Sequence, residues 1–88
     1  MIEIAFSSSF KRALKKVSKN KTLEKKFWDK TELFIQDPFN QSLRTHKLSG
    51  KLSQLWSFTV DYDLRVIFYF ENSTHVVFID IGTHNEVY

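Results

Sequence analysis

The chain has 88 residues and a mass of 10.5 kDa, enough for one small domain, residues 1–88, with no room for a second core. It contains no cysteine, which excludes disulfide scaffolds and cysteine-ligated zinc or iron–sulfur sites. The first residues lack the pattern of a signal peptide, and the longest apolar runs are too short to span a bilayer. We therefore expect a soluble cytoplasmic protein with no membrane partner.

The charge is distributed unevenly along the chain. The formal net charge is +3, but residues 11–30 hold nine cations and two acids, so that segment alone carries +7 and the remainder carries −4. A focused positive field favours a polyanionic partner, and nucleic acid is the commonest one.

The first half of the chain predicts one strand followed by two helices. Apolar residues alternate over residues 2–6, and Ser7-Ser8-Ser9 can cap a first amphipathic helix that ends near residues 18–20. A second helix begins near Thr22 and ends at Asp37-Pro38, because the residue before a proline is pushed out of the helical region.

The second half predicts a long loop and then three strands. Residues 39–54 show no clean period, which indicates a long loop with room for a short strand. The elements expected after the loop are a strand over residues 56–61, a turn at Tyr62-Asp63, a strand over residues 65–70, a hairpin turn at residues 71–74, a strand over residues 75–81 and a short tail over residues 82–88. The order β-α-α-β-β-β predicts an α+β fold, an antiparallel-rich sheet with two helices packed on one face.

The last hairpin predicts a cross-strand neighbourhood. If Asn72-Ser73 is a two-residue loop, then Glu71 pairs with Thr74, Arg65 falls opposite Asp80, and His84 lies at the same end of the sheet. An arginine suits phosphate binding, and a histidine can transfer a proton near neutral pH. RNA can be cleaved by its own 2′-hydroxyl group without a metal, so we expect no metal and no cofactor.

Four segments resemble a known family. They are Leu48-Ser49-Gly50, Leu55-Trp56-Ser57, residues 62–69 with the letters YDLRVIFY, and residues 82–88 with the letters GTHNEVY. Together they resemble the RelE/YafQ/YoeB toxins of bacterial type II toxin–antitoxin modules, which are ribosome-dependent mRNA endonucleases with a microbial ribonuclease-type fold. The resemblance covers nearly the whole chain in element order.

The resemblance implies roles for individual residues. Arg65 matches the phosphate-binding arginine of the family, and His84 matches its C-terminal histidine, the general acid to the leaving 5′-oxygen. His46 matches a position where relatives place a candidate general base. Some relatives carry a second histidine or an aspartate near the turn at residues 60–64, so the resemblance leaves open which residue is the base.

The resemblance also implies partners. They are a cognate antitoxin in a hetero-oligomer, mRNA on the ribosome, and 16S rRNA. The residues expected to bind RNA are Lys47, Lys51 and the terminal aromatic Tyr88, together with Lys15, Lys16 and Lys19 of the basic segment.

Two other functions fit parts of the sequence. ParE-like toxins share the fold but inhibit DNA gyrase and lack the nuclease residues, whereas this chain keeps His46, Arg65 and His84 together. A basic RNA-binding module without toxicity is the third possibility. Taken without the resemblance, Arg65 is better explained as a structural ion-pair partner of Asp61, Asp63 or Asp80, and His84 as an ordinary exposed histidine.

Overall fold

The computed structural model describes residues 1–50 and 54–87. Lys51 and Tyr88, both expected to bind RNA, therefore lie outside the described residues. In chain order the elements are β1 (Glu3–Phe6), α1 (Ser8–Val17), α2 (Lys21–Gln36), a 3-10 turn (Gln41–Leu43), β2 (His46–Lys47), β3 (Trp56–Thr59), β4 (Leu64–Phe70), β5 (His75–Thr83) and α3 (His84–Val87). No helix in this part of the chain is long and apolar enough to cross a bilayer.

The five strands form one sheet in the order β1-β5-β4-β3-β2. β1 pairs parallel to β5, and every other pairing is antiparallel. The predicted α+β class and the order β-α-α-β-β-β are confirmed. β2 is the short strand for which the long loop had room, and α3 is an addition at the end of the chain.

The two long helices begin at side-chain caps. Ser7 Oγ accepts a hydrogen bond from the Phe10 amide at 3.1 Å, and Asn20 Oδ1 accepts from the amides of the first turn of α2. α2 ends at Gln36, directly before Asp37-Pro38, as the sequence predicts.

Aromatic side chains fill the layer between the helices and the sheet. The six phenylalanines with almost no exposed surface are Phe10, Phe27, Phe34, Phe58, Phe68 and Phe78. The rings of Phe34 and Phe58 lie 5.0 Å apart and those of Phe10 and Phe78 5.4 Å apart, so both helices pack on the same sheet face. The core therefore lies on one face of the sheet, against the helices.

The predicted register of the last hairpin is wrong. Arg65 pairs with Gly82 and not with Asp80, and the Glu71 amide donates to the carbonyl of His75 rather than pairing with Thr74. The loop is longer than expected because Asn72 Oδ1 accepts from the amides of Thr74 and His75.

A bulge in β5 accounts for the rest of the shift. Phe68 pairs with Phe78 but Ile67 pairs with Asp80, so Ile79 has no partner on β4. The carbonyl of Ile79 accepts a hydrogen bond from Ser9 Oγ at 2.8 Å. A contact with α1 thus stabilises an irregularity that a count along the hairpin cannot anticipate.

The predicted tail at residues 82–88 is also wrong. Gly82 and Thr83 complete β5, and His84–Val87 form the one-turn helix α3. Glu86 Oε1 accepts from the Thr83 amide at 2.8 Å. The sequence Thr-His-Asn-Glu is therefore a helix-starting capping box.

Candidate functional site

An open cleft of about 600 Å³ lies at one end of the sheet. It is formed where β3 turns into β4 and β5 leads into α3, with one residue from the loop that follows the 3-10 turn. Its lining residues are Arg44, Thr59, Tyr62, Asp63, Arg65 and His84. The structure therefore brings together Arg65 and His84, which the sequence expects to be neighbours.

Arg65 is held in the cleft by its strand partner. Thr59 lies opposite it on β3, and Thr59 Oγ1 accepts a hydrogen bond from Arg65 Nη1 at 3.1 Å. The Nε atom is buried without a hydrogen-bond partner among the described residues. Within the same part of the chain Arg65 forms no ion pair, and Asp61 pairs with Lys26 at 3.1 Å instead. The positive charge on this cleft wall is therefore not paired with a carboxylate of residues 1–50 or 54–87.

His84 is placed by the first turn of α3. Its backbone amide donates to Asp63 Oδ1 at 3.4 Å, which joins the β3–β4 turn to the start of the helix. The hydrogen bond from the Thr83 amide, more than any other contact, holds the pKa of Glu86 below its usual range. A Cβ at Gly82 would lie 3.0 Å from Glu86 Oε1, so this glycine permits α3 to fold closely over the strand end.

Arg44 lines the cleft from a left-handed backbone position. Its φ of 52° is the only positive φ among the non-glycine residues of the described chain. The carbonyl of Arg44 accepts from His46 Nδ1 at 2.9 Å. With the proton on Nδ1, His46 Nε2 is the ring atom left to accept a proton.

The tip between β3 and β4 is fixed on its outer side. The Leu64 amide donates to the carbonyl of Asp61 at 3.3 Å, closing a turn with Tyr62 and Asp63 at its centre. The Lys26 ammonium, and next the Tyr62 amide, lower the pKa of Asp61 by donating hydrogen bonds to its carboxylate. The turn is thus tied to α2.

The remaining predicted residues of the described chain do not line the cleft. His46 and Lys47 form the exposed edge strand β2, and His46 is not among the side chains that line the cleft. Lys15, Lys16 and Lys19 are exposed on and just beyond α1. Lys16 lies near enough to α3 for its charge to contribute to the lowered pKa of Glu86.

A smaller hollow of about 320 Å³ adjoins the cleft, because Thr59 lines both. It also contains Lys26 and Lys30 of α2. Basic side chains of both helices therefore flank the cleft region. Among the described residues, no group of three histidine, aspartate or glutamate side chains is arranged to hold a metal ion.

Sequence reasoning missed four lining residues: Arg44, Thr59, Tyr62 and Asp63. The sequence predicts the turn at Tyr62-Asp63. Because this turn directly precedes the strand that carries Arg65, it is a signal that could have identified Tyr62 and Asp63 as lining residues. Thr59 could be identified as a lining residue only from the strand register, which pairs it with Arg65. Arg44 gives no signal, because its left-handed conformation depends on the preceding 3-10 turn.

Comparison with known proteins places the chain in a family. The model of the YafQ family, described as a bacterial toxin of a type II toxin–antitoxin system, matches residues 2–88. The comparison with curated proteins gave no match.

Several solved structures share the fold. YafQ from E. coli strain BL21(DE3) has a TM-score of 0.83 at 19% identity, over 100% of this chain and 99% of that one. A metal-bound toxin from Helicobacter pylori has a TM-score of 0.81 at 21% identity, with both chains fully covered. A YoeB/ParE toxin from Agrobacterium tumefaciens has a TM-score of 0.78 at 14% identity, over 94% of this chain and 99% of that one. The family model extends over nearly every residue, so the chain belongs to the YafQ family of bacterial type II toxin–antitoxin toxins.

Proposed function

We propose that this toxin is a ribosome-dependent endoribonuclease that cuts mRNA in the A site and so inhibits translation. The observation that carries the proposal is the shared cleft of Arg65 and His84, in which the guanidinium has no carboxylate partner among the described residues. A cation held in this way suits a phosphodiester, and a neighbouring imidazole suits proton transfer to a leaving oxygen.

The proposed reaction uses the nucleophile of the substrate. The ribose 2′-hydroxyl loses its proton to a base and attacks the adjacent phosphorus. The bond to the 5′-oxygen then breaks, and His84 gives that oxygen a proton. The products are a 2′,3′-cyclic phosphate and a 5′-hydroxyl end. Arg65 and Arg44 stabilise the negative charge that accumulates on the phosphoryl oxygens.

Two residues are proposed as candidates for the base. The carboxylate of Asp63 lies on the cleft wall, and it already approaches the start of α3 through the His84 amide. His46 lies on β2, where its bond to the Arg44 carbonyl leaves Nε2 as the acceptor. The position on the wall favours Asp63, because a general base must come within hydrogen-bond reach of the proton it removes.

The basic surface is proposed to dock on the ribosome. Lys15, Lys16 and Lys19 are exposed, and Lys16 is electrostatically linked to α3, which carries His84. Contacts of these lysines with 16S rRNA phosphates, and of Lys47 with mRNA, would position the cleft over the A-site codon. Lys51 and Tyr88 are proposed to bind RNA as well, on the basis of the sequence alone.

A cognate antitoxin is the proposed protein partner. YafQ from E. coli has been solved as a DinJ–YafQ complex with a TM-score of 0.82 to this chain, and a YoeB–YefM complex is known from Staphylococcus aureus. An acidic or amphipathic antitoxin segment complements the positive charge of residues 11–30 and would mask the cleft in a hetero-oligomer.

The direct test is product analysis on translating ribosomes. We expect cleavage within the A-site codon and 2′,3′-cyclic phosphate ends. His84→Gln should lower the cleavage rate by about 10²- to 10⁴-fold while ribosome binding persists. His75→Gln is the matched control, because His75 lies at the hairpin end of β5 and bonds to Asn72. Intact mRNA together with a DNA-damage response would instead identify a ParE-like gyrase inhibitor.

A further inference from the structure

Tyr62 is the most exposed aromatic side chain in the described part of the molecule, with 94% of its surface open. The other exposed aromatics, Trp28 and Phe39, each pack against neighbouring rings. None of the described rings packs against Tyr62. A single exposed aromatic needs no explanation by itself, but this one forms the rim of the cleft that contains Arg65 and His84.

The backbone that carries Tyr62 is anchored although its ring is exposed. The Tyr62 amide donates to the Asp61 carboxylate, which also accepts from Lys26 of α2. The amides of Val60 and Asp61 both donate to the carbonyl of Leu64, at 2.8 and 3.2 Å. The ring is therefore presented from a fixed turn, which lowers the conformational entropy lost when a ligand orders it.

The charges within the cleft indicate which kind of ligand would bind next to the Tyr62 ring. Among the described residues that line the cleft, Arg44, Arg65 and His84 are accompanied by one carboxylate, that of Asp63, so the cleft suits an anion. In a nucleotide the ribose separates the phosphate from the base. A phosphate at the arginines therefore places a flat, unpaired base towards the rim of the cleft. Proteins bind such bases by stacking them on aromatic side chains.

We propose that the Tyr62 ring stacks on the nucleobase adjacent to the scissile phosphate and holds that nucleotide splayed out of the codon. This inference rests on the proposed function, because it places an mRNA backbone in the cleft. Tyr62 is then a substrate-binding residue whose contribution comes from the ring face and not from the hydroxyl group.

The test measures the dissociation constant for ribosomes programmed with an mRNA whose A-site codon carries 2′-deoxyribose, so that no 2′-hydroxyl can attack. Four RNAs are compared: one with the intact codon, and three with a single abasic position. On the intact codon Tyr62→Ala should bind about tenfold more weakly, as expected for the loss of one stacked base. At one abasic position the wild-type chain should be weakened by a similar factor, and Tyr62→Ala should cause no further loss.

Two further variants check that the ring face is responsible. Tyr62→Phe should keep wild-type affinity. Phe39→Ala removes an exposed aromatic from the opposite end of β3 and β4 and should also bind like the wild type. The proposal is overturned if Tyr62→Ala binds the intact codon as tightly as the wild type, if its loss is equal on all four RNAs, or if Tyr62→Phe or Phe39→Ala is as weak as Tyr62→Ala.

Cleavage of unmodified mRNA by the wild-type chain and by Tyr62→Ala, at toxin concentrations below saturation, is measured separately. A chain that binds in the Tyr62-dependent way but does not cut would refute the nuclease proposal and support stacking. A chain that cuts equally well with and without the Tyr62 ring would support the nuclease and refute stacking.

Discussion

Thr59 and Arg65 are cross-strand partners on β3 and β4, and the hydroxyl of Thr59 accepts a hydrogen bond from the guanidinium of Arg65 at 3.1 Å. Because the Nε atom of Arg65 has no partner among the described residues, this bond is the main polar contact that orients the guanidinium. The orientation of the proposed phosphate-binding group therefore depends on a side chain that carries no charge.

Thr59→Val should lower the cleavage rate about tenfold or more, because a hydrogen bond to a charged group is lost without a change in side-chain shape. Thr59→Ser keeps the hydroxyl and should remain close to the wild type. Single-turnover cleavage on programmed ribosomes measures both variants. Equal rates for Thr59→Val and the wild type would show that the bond does not orient Arg65.

Gly82→Ala should displace α3. The added Cβ would lie 3.0 Å from Glu86 Oε1 and 3.2 Å from Val87 Cγ1, so these two side chains of α3 must give by a few tenths of an ångström. Because His84 is the first residue of α3, a displacement of this size should lower the cleavage rate about 3- to 10-fold, while the aromatic core on the other sheet face stays folded. Near-ultraviolet circular dichroism follows the core and product formation follows the site. A fully active Gly82→Ala chain would contradict the assigned packing.

Glu86 should make α3 sensitive to acid. Its pKa is lowered chiefly by the hydrogen bond from the Thr83 amide, so this bond supports α3 at pH values above the ordinary value of 4.5 and is lost as the pH falls through the lower folded value. An NMR titration should show the Thr83 amide resonance moving with a midpoint below pH 4.5. Glu86→Gln should remove that titration, and a resonance that still moves in this variant would assign it to another group.

Substitution should distinguish the two candidate bases. We expect Asp63→Asn to lower the cleavage rate about 10²-fold or more and His46→Gln to lower it less, because Asp63 lines the cleft and His46 does not. The pH dependence of single-turnover cleavage provides the second measurement, since removal of the true base abolishes the acidic limb. A larger loss with His46→Gln would assign the base to β2.

The element order could be predicted from the sequence because it depends on local signals. Apolar periodicity locates α1 and α2, the side chains of Ser7 and Asn20 cap them, and Pro38 ends the second helix. The strands follow from their β-branched and aromatic residues. These features act within a few residues of one another, so a single sequence contains them in full.

The register and the last helix were predicted less well, for different reasons. The bulge at Ile79 depends on a hydroxyl from α1, 70 residues away in the sequence, and no local rule includes that contact. The capping box from Thr83 to Glu86 was present in the sequence, but a helix of four residues is too short to show periodicity. Proximity of Arg65 to His84 could still be predicted, because both lie near the same strand end.

The bulge at Ile79 inverts the alternation of side chains along β5. Phe78 and Ile81 are three residues apart, yet both are buried in the core, which a regular strand would not allow. The inversion places Gly82 opposite Arg65, two residues before α3 begins at His84. Deletion of Ile79 would bring Phe78 and Ile81 to the two-residue spacing of a regular strand and keep both in the core, but it would remove the carbonyl that accepts from Ser9 Oγ. The extra residue in β5 therefore serves the contact between the sheet and α1, and the inward and outward positions at the cleft end should survive its removal.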